Sequence, residues 1–353
     1  MYDLPCGTYN RSYDQDIAIV RTGAHWFFLV ALAVVLLIIP HFVPESINVV
    51  LNTVIIWIVA AFGLNLLTGY CGEISLGHAA FMGVGAYASV IVTSDLGFPF
   101  LLALPSAGLV AGIAGFILAV VACSSRIKGF YLAIVTLAAQ VVFSLVVENW
   151  QSLTGGKEGL DAIVPRIFGW EVNTELRWLL VNIIVVYIMG MAAKNIARSN
   201  VGRSFVALRD NDLAAEVMGI NLFKYKAIAF FVASFYAGVA GSLAAHYFHH
   251  ITAEFFNLHE SIWFLGMIIV GGMGKPLGPI FGVIFILMLK HSINSMVPVF
   301  NTIFPTFSAA FVSSSGLIIF GLVVALFLII EPRGIAHWWD KFKNYYRTWP
   351  FSY

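Results

Sequence analysis

Residues 207–247, ALRDNDLAAEVMGINLFKYKAIAFFVASFYAGVAGSLAAHY, set two opposite kinds of chain back to back. The first part, 207–226, carries Arg209, Asp210, Asp212, Glu216, Lys224 and Lys226; the second, 227–247, carries no Asp, Glu, Lys or Arg. A helix of about 20 apolar residues crosses the hydrocarbon of a bilayer. The second part therefore reads as a membrane span leaving a charged, helix-prone loop.

The rest of the chain agrees with that span rather than with the loop. Of 353 residues, 60% are hydrophobic and 10% charged, with a mean hydropathy of +0.90. Soluble domains average about 25% charged residues, so the expected class is an all-α integral membrane protein. A net charge of +1 argues against a nucleic-acid partner. Cys6, Cys71 and Cys123 lie too far apart to suggest a metal cluster or a disulfide framework. No HExxH or other metal signature occurs, no catalytic pair recurs at helical spacing in the spans, and no metal site, catalytic residue or enzymatic activity is expected. The first 23 residues are polar and lack a cleavage site, so the first apolar stretch is expected to remain as an anchor.

About ten transmembrane helices are expected, at 25–43, 47–68, 76–94, 99–122, 131–149, 177–194, 227–247, 260–273, 276–291 and 314–331, with the third, eighth and ninth short or broken by glycine. With the N-terminus cytoplasmic, fifteen Lys and Arg fall inside and only Lys157 and Arg166 in outside loops, a strong positive-inside bias. Both termini are then cytoplasmic. The domains follow: a cytoplasmic segment 1–24, a polytopic domain 25–331 with a cytoplasmic loop 195–226, and a cytoplasmic tail 332–353. Spans two to five and seven to ten start on opposite sides, which permits an inverted repeat of two four-helix units.

Within the long loop, 205–219 reads as a short helix lying along the membrane. Phe205, Leu208, Leu213, Val217 and Ile220 form its apolar side and Arg209, Asp210, Asp212 and Glu216 its wet side. Asn211 or Asp212 is a candidate cap for its second half, and Gly219 followed by Asn221 a stop. Such a rod suits docking into a groove on a partner.

Asp212-Leu213-Ala214-Ala215, three residues, then Gly219 resembles the "EAA…G" loop of bacterial ABC importer permeases, with Leu213 where that family has Glu. GLNLLTGYCGEISLGHAAFMGVGAYASV (63–90), IKGFYLAIVTLAAQVV (127–142), SLTGGKEGL (152–160), IIVGGMGKPLGPIFG (268–282) and EPRG (331–334) are similar, in order, to the branch serving branched-chain amino acids, and most to its LivM-type subunit. The resemblance implies a permease subunit in the bacterial plasma (inner) membrane. It implies a heterodimer with a second permease, two ATPase subunits that hold ATP and Mg, and an extracytoplasmic solute-binding protein. It implies leucine, isoleucine and valine as substrates, with urea or short amides as the alternative in the same family. Outside it stands a secondary carrier without ATPases. In this chain Gly274-Lys275 and Gly156-Lys157 fail the phosphate-loop pattern: Ile269 and Gln151 stand at the first glycine and Pro276 and Glu158 at the Ser or Thr. No cofactor is expected in the chain itself.

Three groups of site residues follow. Arg209, Asp210, Asp212, Ala214, Ala215 and Gly219 are expected to couple to the ATPase. Glu73, Ser75, Gly77 and His78 lie in a glycine-dense stretch that reads either as a broken helix lining the substrate path or as a solvated turn. Thr154, Gly155 and Gly156 shape the charged outer loop 150–176, expected to receive the binding protein. His246, His249, His250 and Glu254 read as interfacial first and as pathway second. Glycines at 108–115, and at 274, 278 and 282, offer close-packing faces to a neighbouring helix or subunit.

Overall fold

The computed structural model describes residues 44–124, 129–167, 169–303 and 309–348, with Phe27 and His41 besides. The segment 1–24 and the expected first span, 25–43, lie outside the described residues apart from those two positions. The apolar helices are α1 (Glu45–Leu64, continued by a π-helical turn Asn65–Tyr70), α2 (His78–Ser94), α3 (Phe100–Ser124) and α4 (Phe130–Asn149). A four-residue helix, α5 (Gln151–Thr154), and strands β1 (Leu160–Asp161), β2 (Arg166–Ile167) and β3 (Trp170–Glu171) form one large loop. Then come α6 (Glu175–Arg198), α7 (Asn200–Asp210), α8 (Asp212–Val217), α9 (Leu222–Phe248), β4 (His250–Ile251), α10 (Leu258–Gly271), α11 (Gly278–Ile303), α12 (Ala309–Ile330) and α13 (Ile335–Thr348).

Among the described residues six helices are long and apolar enough to cross a membrane, and seven if the bent pair 318–330 and 335–345 counts as one. The apolar helices His78–Ser94 and Gly278–Ile293 are shorter. The protein is thus a multi-pass, all-α membrane protein.

The seam between α2, α3 and α9 forms the core. Residues from Lys226 to Tyr247 bury most of α9. Three small residues make that possible: a Cβ on Gly85 would run into Gly238, one on Gly241 into the carbonyl of Met82, and one on Gly238 into the carbonyl of Ala107. In lipid, where burying apolar surface gives no advantage, such close backbone approach is what holds helices together. Ser89 and Ser242 share a 2.7 Å hydrogen bond across the same seam. Gly108, Gly112 and Gly115 of α3 face Phe235, Phe231 and Ser234 of α9, so this glycine face packs within the chain. Gly274 does not belong to a helical stripe; it lies in the turn between α10 and α11 with φ +71°.

Polar side chains latch the two ends of the bundle differently. At one end Asn52 of α1 donates to Glu175 Oε2 (2.9 Å) and accepts from Asn182 of α6 (3.0 Å), and Tyr247 of α9 donates to the same carboxylate at 2.7 Å. This end also holds the large loop, joined to the end of α9 through antiparallel pairing of Leu160 with Ile251 and Asp161 with His250. The opposite end gathers the α1–α2 break, α7, α8, the 272–277 turn and α13. The chain's two sets of connections therefore sort onto opposite ends.

Candidate functional site

The charged loop is two helices, not one. Asn211 adopts φ −162° and ends α7, while its side chain accepts from Ala214 N at 3.0 Å and starts α8. An N-cap of this kind is worth about 1 kcal/mol. The expected single apolar face over 205–219 is accordingly split. Phe205, Leu208 and Ala215 are buried, but Leu213 is 64%, Val217 87% and Met218 82% exposed. The break turns α8 so that Leu213 and Val217 point away from the protein while Ala215 faces it. Gly219, at φ +86°, stops α8 with Ile220 N on the Ala215 carbonyl at 3.0 Å, a left-handed C-terminal cap that glycine favours. Asn221 then caps α9 through Lys224 N at 2.9 Å.

Of the coupling residues, Asp210, Ala214 and Gly219 are exposed, Asp212 is half-buried and Ala215 is buried. Arg209 faces both ways. Its Nε and Nη2 hold the Asp210 carboxylate at 3.1 and 2.9 Å, while Nη1 donates inward to the carbonyl of Gly69 at 3.0 Å. The guanidinium stem lies in a slot made by glycines: a Cβ on Gly72 would sit 2.8 Å from Arg209 Cγ, and one on Gly274 3.0 Å from Nη1. Asn65 closes the slot by donating to the Lys275 carbonyl (3.0 Å) and accepting from Gly274 N (2.9 Å).

Residues 71–77 are unwound between the π-helical turn and α2. The stretch is the turn that joins α1 to α2, and it is not solvated: Glu73, Ser75, Gly77 and His78 are all buried. Glu73 forms a buried ion pair with Lys226 in the first turn of α9. His78 Nε2 lies 3.0 Å from the Ala60 carbonyl. Gly77 abuts the Thr136 carbonyl of α4 so closely that no Cβ fits. The start of α2 is sealed by other helices: Leu76 N donates to Thr136 Oγ1 (2.8 Å), Ala79 N to Ser261 Oγ (2.9 Å) and Ala80 N to Gln140 Oε1 (2.8 Å). Glu73, Gly77 and His78 thus each contact a neighbouring helix. The open space lies beside them, a groove of about 860 Å³ lined by Thr68, Gly69, Gly72, Arg209, Lys275 and residues of α13. Lys275 reaches Asp340 of α13 at 2.5 Å. α13, in the expected tail, exposes Trp338, Trp339, Phe342 and Tyr345.

At the far end Thr154 Oγ1 donates to the Val147 (2.6 Å) and Trp150 (2.8 Å) carbonyls, and Gly155 and Gly156 turn the chain at φ +68° and +62°. Lys157 and Glu158 stand exposed on that turn. His246 faces the protein interior. It is fully buried, with Nδ1 3.0 Å from the Ser242 carbonyl and Nε2 3.2 Å from Thr93 Oγ1. His249, His250 and Glu254 are exposed, and His250 pairs with Asp161 at 2.8 Å. Two features escaped the sequence reading: the outward Leu213–Val217–Met218 tip and the Glu73–Lys226 pair. A lone acid in a glycine-rich turn and a lysine bordering an apolar span were the signal for the pair.

Residues 46–330 match the family described as branched-chain amino acid transport system / permease component. The high-affinity branched-chain amino acid transport system permease protein LivM of Escherichia coli K12 is 29% identical over 87% of this chain and 74% of that protein. LivH of the same strain, also a permease protein of that system, is 23% identical over 63% of this chain and 76% of its own length. The ribose import permease protein RbsC of Haemophilus influenzae is 22% identical over 75% of this chain and 83% of its own. No solved structure matches. The chain belongs to the branched-chain amino acid transport system permease family.

Proposed function

We propose that this permease is one membrane subunit of an ATP-driven ABC importer for leucine, isoleucine and valine. A non-identical permease of similar fold completes the pore, two ATPase subunits hold ATP and Mg, and an extracytoplasmic binding protein delivers the substrate. The chain crosses the bacterial inner membrane about ten times, with both termini, the coupling loop and α13 cytoplasmic and the large loop outside. The names of the relatives support the substrate and the second permease, since LivM and LivH are both permease proteins of a branched-chain amino acid system.

The observation that carries the coupling is the outward tip of α8. Leu213, Val217 and Met218 stand in the open on and just after α8, which is anchored by its own buried Ala215 and follows α7, whose Phe205 and Leu208 are buried. An exposed apolar cluster on a rigid base is a docking feature, and it sits beside the Arg209–Gly69 bond into the membrane domain. ATPase movement at α8 thus has a direct mechanical route to the α1–α2 break.

The test is reconstitution of this chain with the second permease, the ATPases and the binding protein in proteoliposomes. Leucine uptake that requires ATP and every component is expected. Uptake by this chain alone, driven by an ion gradient, would make it a secondary carrier. ATP-driven uptake of urea or a short amide but not of leucine would move the substrate within the family.

A further inference from the structure

A second, small pocket lies at the far end, where α1, α9 and α10 meet below the end of β4. Its volume is about 40 Å³, and its walls include Trp57, Phe256 and Phe264. Trp57 and Phe264 stack with ring centroids 4.7 Å apart. Among its lining residues Glu260 alone bears a charge.

The state of that carboxylate is unusual. Oε2 of Glu260 is buried and has no hydrogen-bond partner among the described residues. Oε1 has only Lys290 Nζ, at 3.4 Å, beyond the usual range for a charge-assisted bond. Lys290 is held elsewhere, with Nζ 5.5 Å from the Trp57 ring centre and 5.4 Å from that of Trp263, both within cation–π range. A buried anionic oxygen lacking a donor is costly and calls for an explanation. Aromatic rings around a carboxylate are the chemistry that receives an organic ammonium ion.

The pocket has a door. Phe248 and Phe255 line it, are half-exposed, and stack on each other at 5.9 Å and 17°. Phe248 ends α9, and the next residue, His249, has φ +62°, a left-handed conformation rare outside glycine. Just beyond it β4 pairs with β1 of the large loop. Motion of that loop therefore acts on the backbone that carries Phe248.

We propose that this pocket receives the permeating amino acid: Glu260 takes its α-ammonium group, the aromatic walls take its aliphatic side chain, and Phe248 and Phe255 gate the entrance. This deepens the reading of the chain as an amino acid permease and rests on it. A volume of about 40 Å³ holds a water molecule or so, far less than leucine. The described conformation is thus the closed one, and entry requires the two phenyl rings to part. The incoming ammonium supplies the donor that Oε2 lacks, beside the Lys290 contact on Oε1.

The experiment uses the complete transporter in proteoliposomes and radiolabelled leucine. ATP-driven uptake by the unaltered complex is the reference, and its absence would tell against the proposed function rather than against the pocket. E260Q is expected to lower uptake at least ten-fold and E260D to recover part of it. The double variant E260Q/K290M separates the two roles of the carboxylate. If Glu260 merely neutralises Lys290, removing both charges restores uptake; if it receives substrate, uptake stays low. Full uptake by E260Q, or restoration in the double variant, would overturn the proposal. If E260Q fails to copurify with the ATPases, F255A decides. A several-fold rise in leucine leak without ATP supports the gate and pocket, and leak at the unaltered level overturns them.

Discussion

Arg209 of α7 donates a 3.0 Å hydrogen bond to the backbone carbonyl of Gly69, 140 residues earlier in the chain. That carbonyl belongs to the π-helical turn where α1 ends, so one guanidinium spans from the charged loop to the turn between α1 and α2. The same side chain holds Asp210 on the surface. A force on α7 or α8 reaches the membrane domain through this residue.

Arg209→Ala is therefore expected to uncouple. A hydrogen bond to a charged group contributes about 1.5–3 kcal/mol, equivalent to roughly 10- to 100-fold in an equilibrium. Substrate-stimulated ATP hydrolysis and uptake should fall by a comparable factor while the chain still inserts. Arg209→Lys should recover little, because one ammonium cannot hold Gly69 and Asp210 together in this geometry. ATPase and uptake assays on the reconstituted complex check this; wild-type coupling in Arg209→Ala would show that the link carries no signal.

At the tip of α8, Leu213→Asp and Val217→Asp should weaken ATPase binding and leave the fold unchanged, since both side chains are exposed. Central apolar contacts in interfaces are worth about 2 kcal/mol or more each when they are hot spots. Pull-down of the ATPases by solubilised permease reads the effect, with thermal unfolding as the control. Charge reversal at Asp212 should likewise lower coupled hydrolysis without affecting insertion.

The Glu73–Lys226 pair should be structural. Both side chains are 7% exposed, and removing one partner of a buried pair costs about 3–5 kcal/mol, whereas replacing both with apolar groups is often neutral. Lys226→Met should therefore lower the yield of folded protein in detergent, and Glu73→Leu combined with Lys226→Met should restore much of it. Fluorescence-detected size-exclusion chromatography after heating measures the difference. Equal loss in the single and double variants would mean that the pair does more than neutralise itself.

Gly85→Val should prevent the α2–α9 seam from closing, because the Cβ position is already occupied by Gly238. Overpacking costs about 1–3 kcal/mol and occasionally more, and here the obstacle is backbone that cannot rotate away. Gly219→Ala, with nothing within 4 Å of the added Cβ, should cost only the strain of its positive φ, about 1 kcal/mol. Side-by-side melting curves separate a clash from a conformational preference.

For the large loop, a cysteine at Glu158 should cross-link to the binding protein. Capture of an ATPase alone would mean that the sides of the membrane have been assigned in reverse.

The sequence by itself determined the class, the long apolar helices and the two local signals at the charged loop. Runs of apolar residues dictate helix in lipid because every backbone polar group must be satisfied within the segment. Asn211 and Gly219 fix where α8 starts and stops because capping is a contact between near neighbours. The same locality explains what the sequence concealed. An isolated reading of 205–219 gave one amphipathic helix; only the packing of Phe205 and Leu208 into the protein and the break at Asn211 decided that Leu213 and Val217 face outward. Arg209 read as a contact to a partner, Glu73 as path-lining or solvated, Lys226 as one more loop charge and Gly274 as part of a packing face, and nothing local tied them to one another. Tertiary structure made them one joint, because the close approach of α1, α7, α9 and the 272–277 turn brings together groups that lie far apart along the chain. Which polar group is buried, and against what, depends on helix positions that no local pattern encodes.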